Sequence, residues 1–290
     1  MPAALFLSPH LDDVAFSCGA AFATLAARGW DAHLVTVFTR SIPDPQGFAL
    51  ACQTDKGLAP AVDYMALRRA EDEAAARALG AASVRWLAHA EAPHRGYDSA
   101  PALFAGVHDG DRDAWRPVAA DVAALLDELA PTLVFAPQAI GGHADHRHVV
   151  RAVAHVARTR ASTRHPGERR HPGERRGRPL AVAWYRDTPY VIRHPGALPP
   201  DPIDDPDAPL AKFAVPADAA ALAAKLDACA AYTSQLGFQF GGADPMRAAL
   251  ARLAADEAAR TGHAGHAEVV AAGPRARAAL AAAFDQTPAH

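Results

Sequence analysis

Two short stretches carry residues whose types and spacing suit metal chemistry. Residues 8–13 read SPHLDD and set His10 three residues before Asp13, with Asp12 between them. On a starting helical turn that spacing can aim an imidazole and a carboxylate at one point, supplying the nitrogen and oxygen donors that a divalent ion takes. Residues 141–148 read GGHADHRH and bring His143, Asp145, His146 and His148. Taken alone, either stretch also suits a polar helix start, with Asp12 or Asp13 as an N-cap. Two such corners in one chain point instead to a shared site.

The surrounding pattern says how the two corners meet. Residues 4–7 form an apolar run that stops at Ser8 and Pro9, and the following segment has apolar residues at helical spacing until Gly29, a helix C-cap. Residues 132–137 repeat the design: apolar strand, Pro137, the turn at Gly141 and Gly142, then a helix over 147–160. Further strands are expected at 31–39, 83–88 and 180–186, with helices at about 64–79 and 118–130 between them. Strands alternating with helices predict an α/β, Rossmann-like three-layer fold with a mostly parallel sheet. In strand order 3-2-1-4-5 the first and fourth strands are neighbours, so the metal site falls at their carboxyl ends, where open parallel sheets bind ligands.

The pair SPHLDD and GGHADH resembles the PIG-L/LmbE-like family of zinc-dependent N-acetylglucosaminyl deacetylases. Other stretches fit the same resemblance. RRAEDEAAARALGA (68–81) is similar to the family's Arg-x-x-Glu helix, WYRDTPY (184–190) to its Tyr-x-Asp-x-Pro-Tyr segment, and KLDACAAYTSQ (225–235) to its Tyr-x-Ser-Gln helix. Val14 departs from the Glu or Ala often found after the paired aspartates, without touching a ligand. The resemblance implies a Zn2+ cofactor held by His10, Asp13 and His146, other first-row divalent metals being accepted by such donors. It also implies Asp12 as general base toward a water made acidic by the ion. His143 would stabilise the oxyanion or protonate the leaving amine, Asp145 would orient His143, and Arg68 would contact substrate. Spacing leaves His148 open as a ligand in place of His146. Tyr232 and Gln235 become candidates for the pocket wall, although periodicity alone makes Tyr232 a core aromatic.

The implied reaction is removal of an N-acetyl group from an N-acetylglucosamine-type amino sugar or conjugate. Two alternatives stay open: an amidase acting on a larger acyl-amino-sugar conjugate at the same site, and a non-catalytic sugar-binding protein. A spare carboxylate at Asp12 speaks against the last. The substrate, a small-molecule N-acetylated sugar or glycoconjugate, and the oligomeric state are not chosen by any residue.

Composition bounds the remaining possibilities. The 290 residues are half hydrophobic with net charge −3, which supports a sizeable core and gives no electrostatic case for nucleic acid or an acidic membrane surface. The start, MPAALFLSPH, lacks a basic n-region and a spanning run, so the chain reads as cytoplasmic. Cys18, Cys52 and Cys229 are odd in number and widely spaced, against a disulfide framework. A single domain over 1–290 is expected, with a core of about 1–190 and a C-terminal helical cap of about 210–290. Within the core, 159–178 reads as an exposed, mobile insertion containing RHPGER twice, at 164–169 and 170–175. Loops at 41–63 and 89–115 fall on the sheet edge that carries the two motifs, and His89, His94 and His108 read as solvated loop residues.

Overall fold

The computed structural model describes residues 1–162 and 179–285. The first half runs β1 (Ala3–Ser8), α1 (Asp13–Ala27), β2 (Asp31–Thr36), α2 (Gly47–Thr54), α3 (Tyr64–Ala78), β3 (Ser83–Trp86), α4 (Ala100–Phe104), α5 (Trp115–Leu129), β4 (Leu133–Pro137) and α6 (Ala144–Ser162). The second runs β5 (Val182–Tyr185), α7 (Tyr190–Arg193), β6 (Ala211–Ala217), α8 (Ala219–Ala230), α9 (Thr233–Phe240), α10 (Ala243–Arg260), β7 (His266–Ala272) and α11 (Pro274–Phe284). The seven strands form one sheet in the order β3-β2-β1-β4-β5-β7-β6. The first five are parallel, with β1 between β2 and β4, so the two motif-bearing corners are neighbours at the switch point.

The strands are apolar on both faces because both are covered, as parallel sheets require. Phe6, Leu34, Phe135 and Tyr185 pack on one side with α1, α3 and the C-terminal helices. Leu5, Leu7, Val134 and Trp184 pack on the other with α5 and α6. The alternation within each strand is the period-two pattern that separates the two cores, and it yields the three layers.

The C-terminal hundred residues differ from a helical cap. They also contain β6 and β7, which extend the sheet antiparallel from β5. Both strands are rich in alanine, and β6 contains Pro216, which only an edge strand tolerates. Within this C-terminal region, α8 and α9 are separated at Tyr232, whose backbone is non-helical and whose side chain is buried. The loop at 41–63 contains α2, and Gln53 fastens its remainder by donating to the carbonyls of Ala59 and Val62. The expected insertion at 159–178 begins inside α6, so 159–162 is helix and not loop; the RHPGER duplication lies outside the described residues. Among those residues no helix is long and apolar enough to cross a membrane.

Candidate active site

The β1–α1 corner is held by its own polar groups. Ser8 Oγ donates to the His10 carbonyl and accepts from the Val14 amide, while the His10 amide donates to Asp13 Oδ2 at 2.7 Å. That ring of bonds closes the turn and brings the His10 imidazole back over Asp13. The β4–α6 corner uses glycine for a steric reason. Gly141 has φ +97, and a Cβ there would lie 2.6 Å from Cγ of Tyr190, so the Tyr190 ring lies directly on the turn.

Three donor atoms converge between the corners. His10 Nδ1 lies 3.4 Å from Asp13 Oδ2, His146 Nε2 lies 3.3 Å from the same oxygen, and the two ring nitrogens are 3.3 Å apart. A tetrahedral zinc with bonds of about 2.0–2.2 Å needs donors about 3.3–3.6 Å apart, so this triangle fits one divalent ion. The far nitrogens are committed elsewhere: His10 Nε2 donates to Asp145 Oδ2 at 2.9 Å, and His146 Nδ1 donates to Asp187 Oδ1 at 2.6 Å. In the neutral tautomers those bonds select, the two facing nitrogens both present lone pairs. Lone pairs that face one another beside a carboxylate are what a cation satisfies, and carboxylates behind the imidazoles are the usual support for such ligands.

A second set, His10, His143 and His146, has ring nitrogens all within 4.8 Å of one another. The looser spacing suits one ion less well than the Asp13 triangle. His143 Nδ1 accepts from the Asp145 amide at 3.2 Å, which leaves the proton on Nε2 and makes that nitrogen a donor. Burial pushes His143 well below the ordinary histidine range and the neighbouring His10 adds to the effect, so the ring is neutral.

The carboxylates set the remaining electrostatics. Burial alone would raise Asp13, yet His146 and His10 hold it well below the usual carboxylate range. Burial opposes charge on His146, but Asp13 and Asp187 outweigh it and lift the ring to about 9; His10 is raised as well, by Asp13 and Asp145 against its own burial. The cluster thus calls for positive charge at its centre, which protons or one divalent ion supply. Asp12 sits beside this triangle with Oδ2 3.5 Å from Arg68 Nη2. Burial pushes its carboxyl up to about 7 although Arg68 pulls the other way.

Each expected site residue now has a place. His10, Asp12, Asp13, Arg68, His143 and Asp145 line one cavity of about 260 Å³, and His146 is fully buried behind them. The Asp145 carboxylate lies 4.0 Å from His143 Nδ1 and instead bonds His10, so the ring it orients is a different one from that expected. Arg68 is buried, donating to Glu91 Oε1 at 2.7 Å and to the Leu11 carbonyl, with only Nε unpartnered; it braces the Asp12 turn. His148 donates to Asp111 Oδ2 at 2.8 Å, away from the triangle. Gln235 lines the cavity, whereas Tyr232 is core and donates to Asp72. Glu71 accepts from Thr233, the Ser234 amide and the Ser234 hydroxyl, which ties the Arg-x-x-Glu helix to the Tyr-x-Ser-Gln turn. Asp187 carried no expected role, although it lies two residues beyond β5 at the same sheet edge, within the WYRDTPY segment. Arg95 and Asp111 gave no signal, since both lie in a polar edge loop.

The PIG-L family model, described as GlcNAc-PI de-N-acetylase, matches residues 5–157. The chain belongs to this family, and its fold and converging histidines agree with that membership. A 2'-N-acetylparomamine deacetylase from Streptomyces fradiae is 42% identical over 152 residues, 51% of this chain and 50% of that protein. The chain therefore spans about half the length of that relative. Teicoplanin deacetylase Orf2, solved in a zinc-inhibited form, superposes with TM-score 0.74 at 25% identity, covering 93% of this chain and 97% of the other. The A40926 pseudoaglycone deacetylase Dbv21 superposes with TM-score 0.73 at 26% identity, covering 94% and 97%.

Proposed function

We propose that the protein is a metal-dependent deacetylase of N-acetylated amino-sugar conjugates, with residues 1–290 working as one domain and zinc as the ion. The observation that carries this reading is the triangle of His10 Nδ1, Asp13 Oδ2 and His146 Nε2, with edges of 3.3–3.4 Å, beside the Asp12 carboxylate. Its membership in the PIG-L family and its similarity to three proteins named as deacetylases support it.

His10, Asp13 and His146 would hold the divalent ion, which would supply Lewis-acid chemistry toward a water and an amide carbonyl. Asp12, facing the cavity and raised to about 7, takes the proton from the attacking water and can pass it to the departing amine. His143, neutral and with its proton on Nε2, donates to the amide oxygen as negative charge develops there. Asp145 and Asp187 hold the imidazoles in the tautomers that leave lone pairs for the ion.

The mouth of the cavity favours a sugar carried on a larger group. Phe104 and Phe238 line it and expose 40% and 65% of their surface, unusual for phenylalanine. About 260 Å³ falls just under the roughly 300–1,000 Å³ typical of drug-sized pockets. One acetylated sugar ring would occupy it, with the rest of the conjugate lying against the two rings.

The test is metal content together with acetate release from an aryl N-acetylglucosaminide, for wild type and Asp12→Asn. The expected result is one ion per chain in both, with turnover about 100- to 10,000-fold lower in the variant. Acetate release that is unchanged in Asp12→Asn would remove Asp12 as the base; a protein that binds no divalent ion would remove the metal reading altogether.

A further inference from the structure

Asp145 does more than support His10. It is where one ligand of the triangle meets the segment that walls the cavity. Its Oδ2 accepts from His10 Nε2 at 2.9 Å and from the Ala92 amide at 3.0 Å, and its Oδ1 accepts from Arg95 Nη2 at 2.7 Å. Arg95 spends every nitrogen of its guanidinium. Nη1 donates to the Ala90 carbonyl, while Nε and Nη2 grip Asp111 at 2.8 and 2.9 Å. Asp111 in turn accepts from the Tyr97 hydroxyl and from His148. One side chain thereby joins residues 90, 111 and 145. The loop so closed carries Glu91, Pro93, Ala100, Leu103 and Phe104 of the cavity wall.

We propose that Arg95 is a positioning residue that couples occupancy of the metal triangle to the order of the wall segment 90–112. This coupling rests on the metal reading of the triangle. Asp145 is fully buried, and the Arg95 fork fixes the direction of its carboxylate from the Oδ1 side. His10 Nε2 donates to Asp145 Oδ2, the oxygen that also receives the Ala92 amide, and an ion taken up by His10 would hold the imidazole in that orientation. Fixing the ring therefore fixes the start of the wall, and by linkage an ordered wall strengthens the ion's hold to the same degree. Lysine substitutes only in part, because a single ammonium cannot span Asp111 and Asp145 in the manner of a planar fork.

The experiment is amide hydrogen exchange on the wild-type chain, stripped with a chelator and then reloaded with Zn2+. Chelator-competition measurements of zinc affinity for wild type, Arg95→Lys and Arg95→Ala accompany it. The expected result is slower exchange at Ala92, His94, Arg95 and Asp111 in the loaded protein, with the difference abolished in Arg95→Ala. Zinc affinity should fall on the order of 10- to 100-fold in Arg95→Ala and partly in Arg95→Lys, as when groups behind a ligand are removed elsewhere. The wild-type exchange data and Arg95→Lys decide the matter even if Arg95→Ala does not fold. Identical exchange in the stripped and loaded wild type, or wild-type zinc affinity in a folded Arg95 variant, overturns the coupling while leaving the metal site standing. Absence of any zinc binding overturns both.

Discussion

Two buried charge clusters lie along α1, one at its kink and one at its first residue, and they are built from similar materials to opposite ends. At the kink, Glu268 is saturated: Oε1 accepts from Lys225 Nζ at 2.6 Å and from the Ala20 amide, and Oε2 accepts from the Ala21 amide. Those amides are available because α1 is kinked at Cys18, so the carboxylate mends the break. At the start of the helix, Asp13 meets two imidazole nitrogens that present lone pairs in their neutral tautomers. The first cluster is electrically complete without help. The second is complete only with a cation. Burial and pairing are common to both, so neither marks function; the difference lies in whether the donors and acceptors match.

The sharpest way to break this comparison is Glu268→Gln. It leaves Lys225 buried without a counter-charge, and the expected loss of folding stability is about 3–5 kcal/mol, read from the denaturant midpoint, with zinc stoichiometry unchanged. If the variant lost metal in the folded state, the two clusters would not be separate. Asp187→Asn works in the opposite direction. It weakens the bond to His146 Nδ1 and should lower zinc affinity roughly 10- to 100-fold, with a much smaller effect on the unfolding midpoint. Equal zinc affinity in the variant would show that His146 keeps its tautomer unaided.

The smallest expected effect is on pH. Burial works against the charged form of Lys225, yet Glu268 outweighs it and raises the amine above its ordinary value. A group raised in the folded state stabilises fully below its unfolded pKa, about 10.4 for lysine, and that contribution is lost as pH climbs through the folded value. The Lys225 contribution should therefore stay constant through neutral pH and decline only in strong alkali. Stability curves of wild type and Lys225→Met compared between neutral and alkaline pH would check this; a gap closing near neutrality would contradict it.

Much of the active corner is legible in the sequence. His10, Asp12, Asp13 and His146 sit at strand-to-helix corners, where spacing of a few residues already restricts direction, and two such corners can meet only if their strands adjoin. In the order β3-β2-β1-β4-β5 the strands of the two corners, β1 and β4, do adjoin. Local pattern is less informative where pairing is long-range. The partner of Asp145 cannot be read from it, because from one turn of helix that carboxylate can face His143 beside it or His10, 135 residues away in sequence. Nor can β6 and β7, whose alanines and Pro216 carry no strand preference of their own and which are strands because β5 offers an edge.

The sequence by itself thus determined which side chains are delivered to the sheet's carboxyl edge and which donor atoms they bring there, since those depend on residue type and on the periods of helix and strand. Only the tertiary structure decided which nitrogen of each histidine faces the centre and which carboxylate stands behind it. It likewise decided that Arg95 gathers Asp111 from the edge loop and Asp145 from the first turn of α6. Those choices rest on distances of about 3 Å between residues remote in sequence, and no periodicity encodes them.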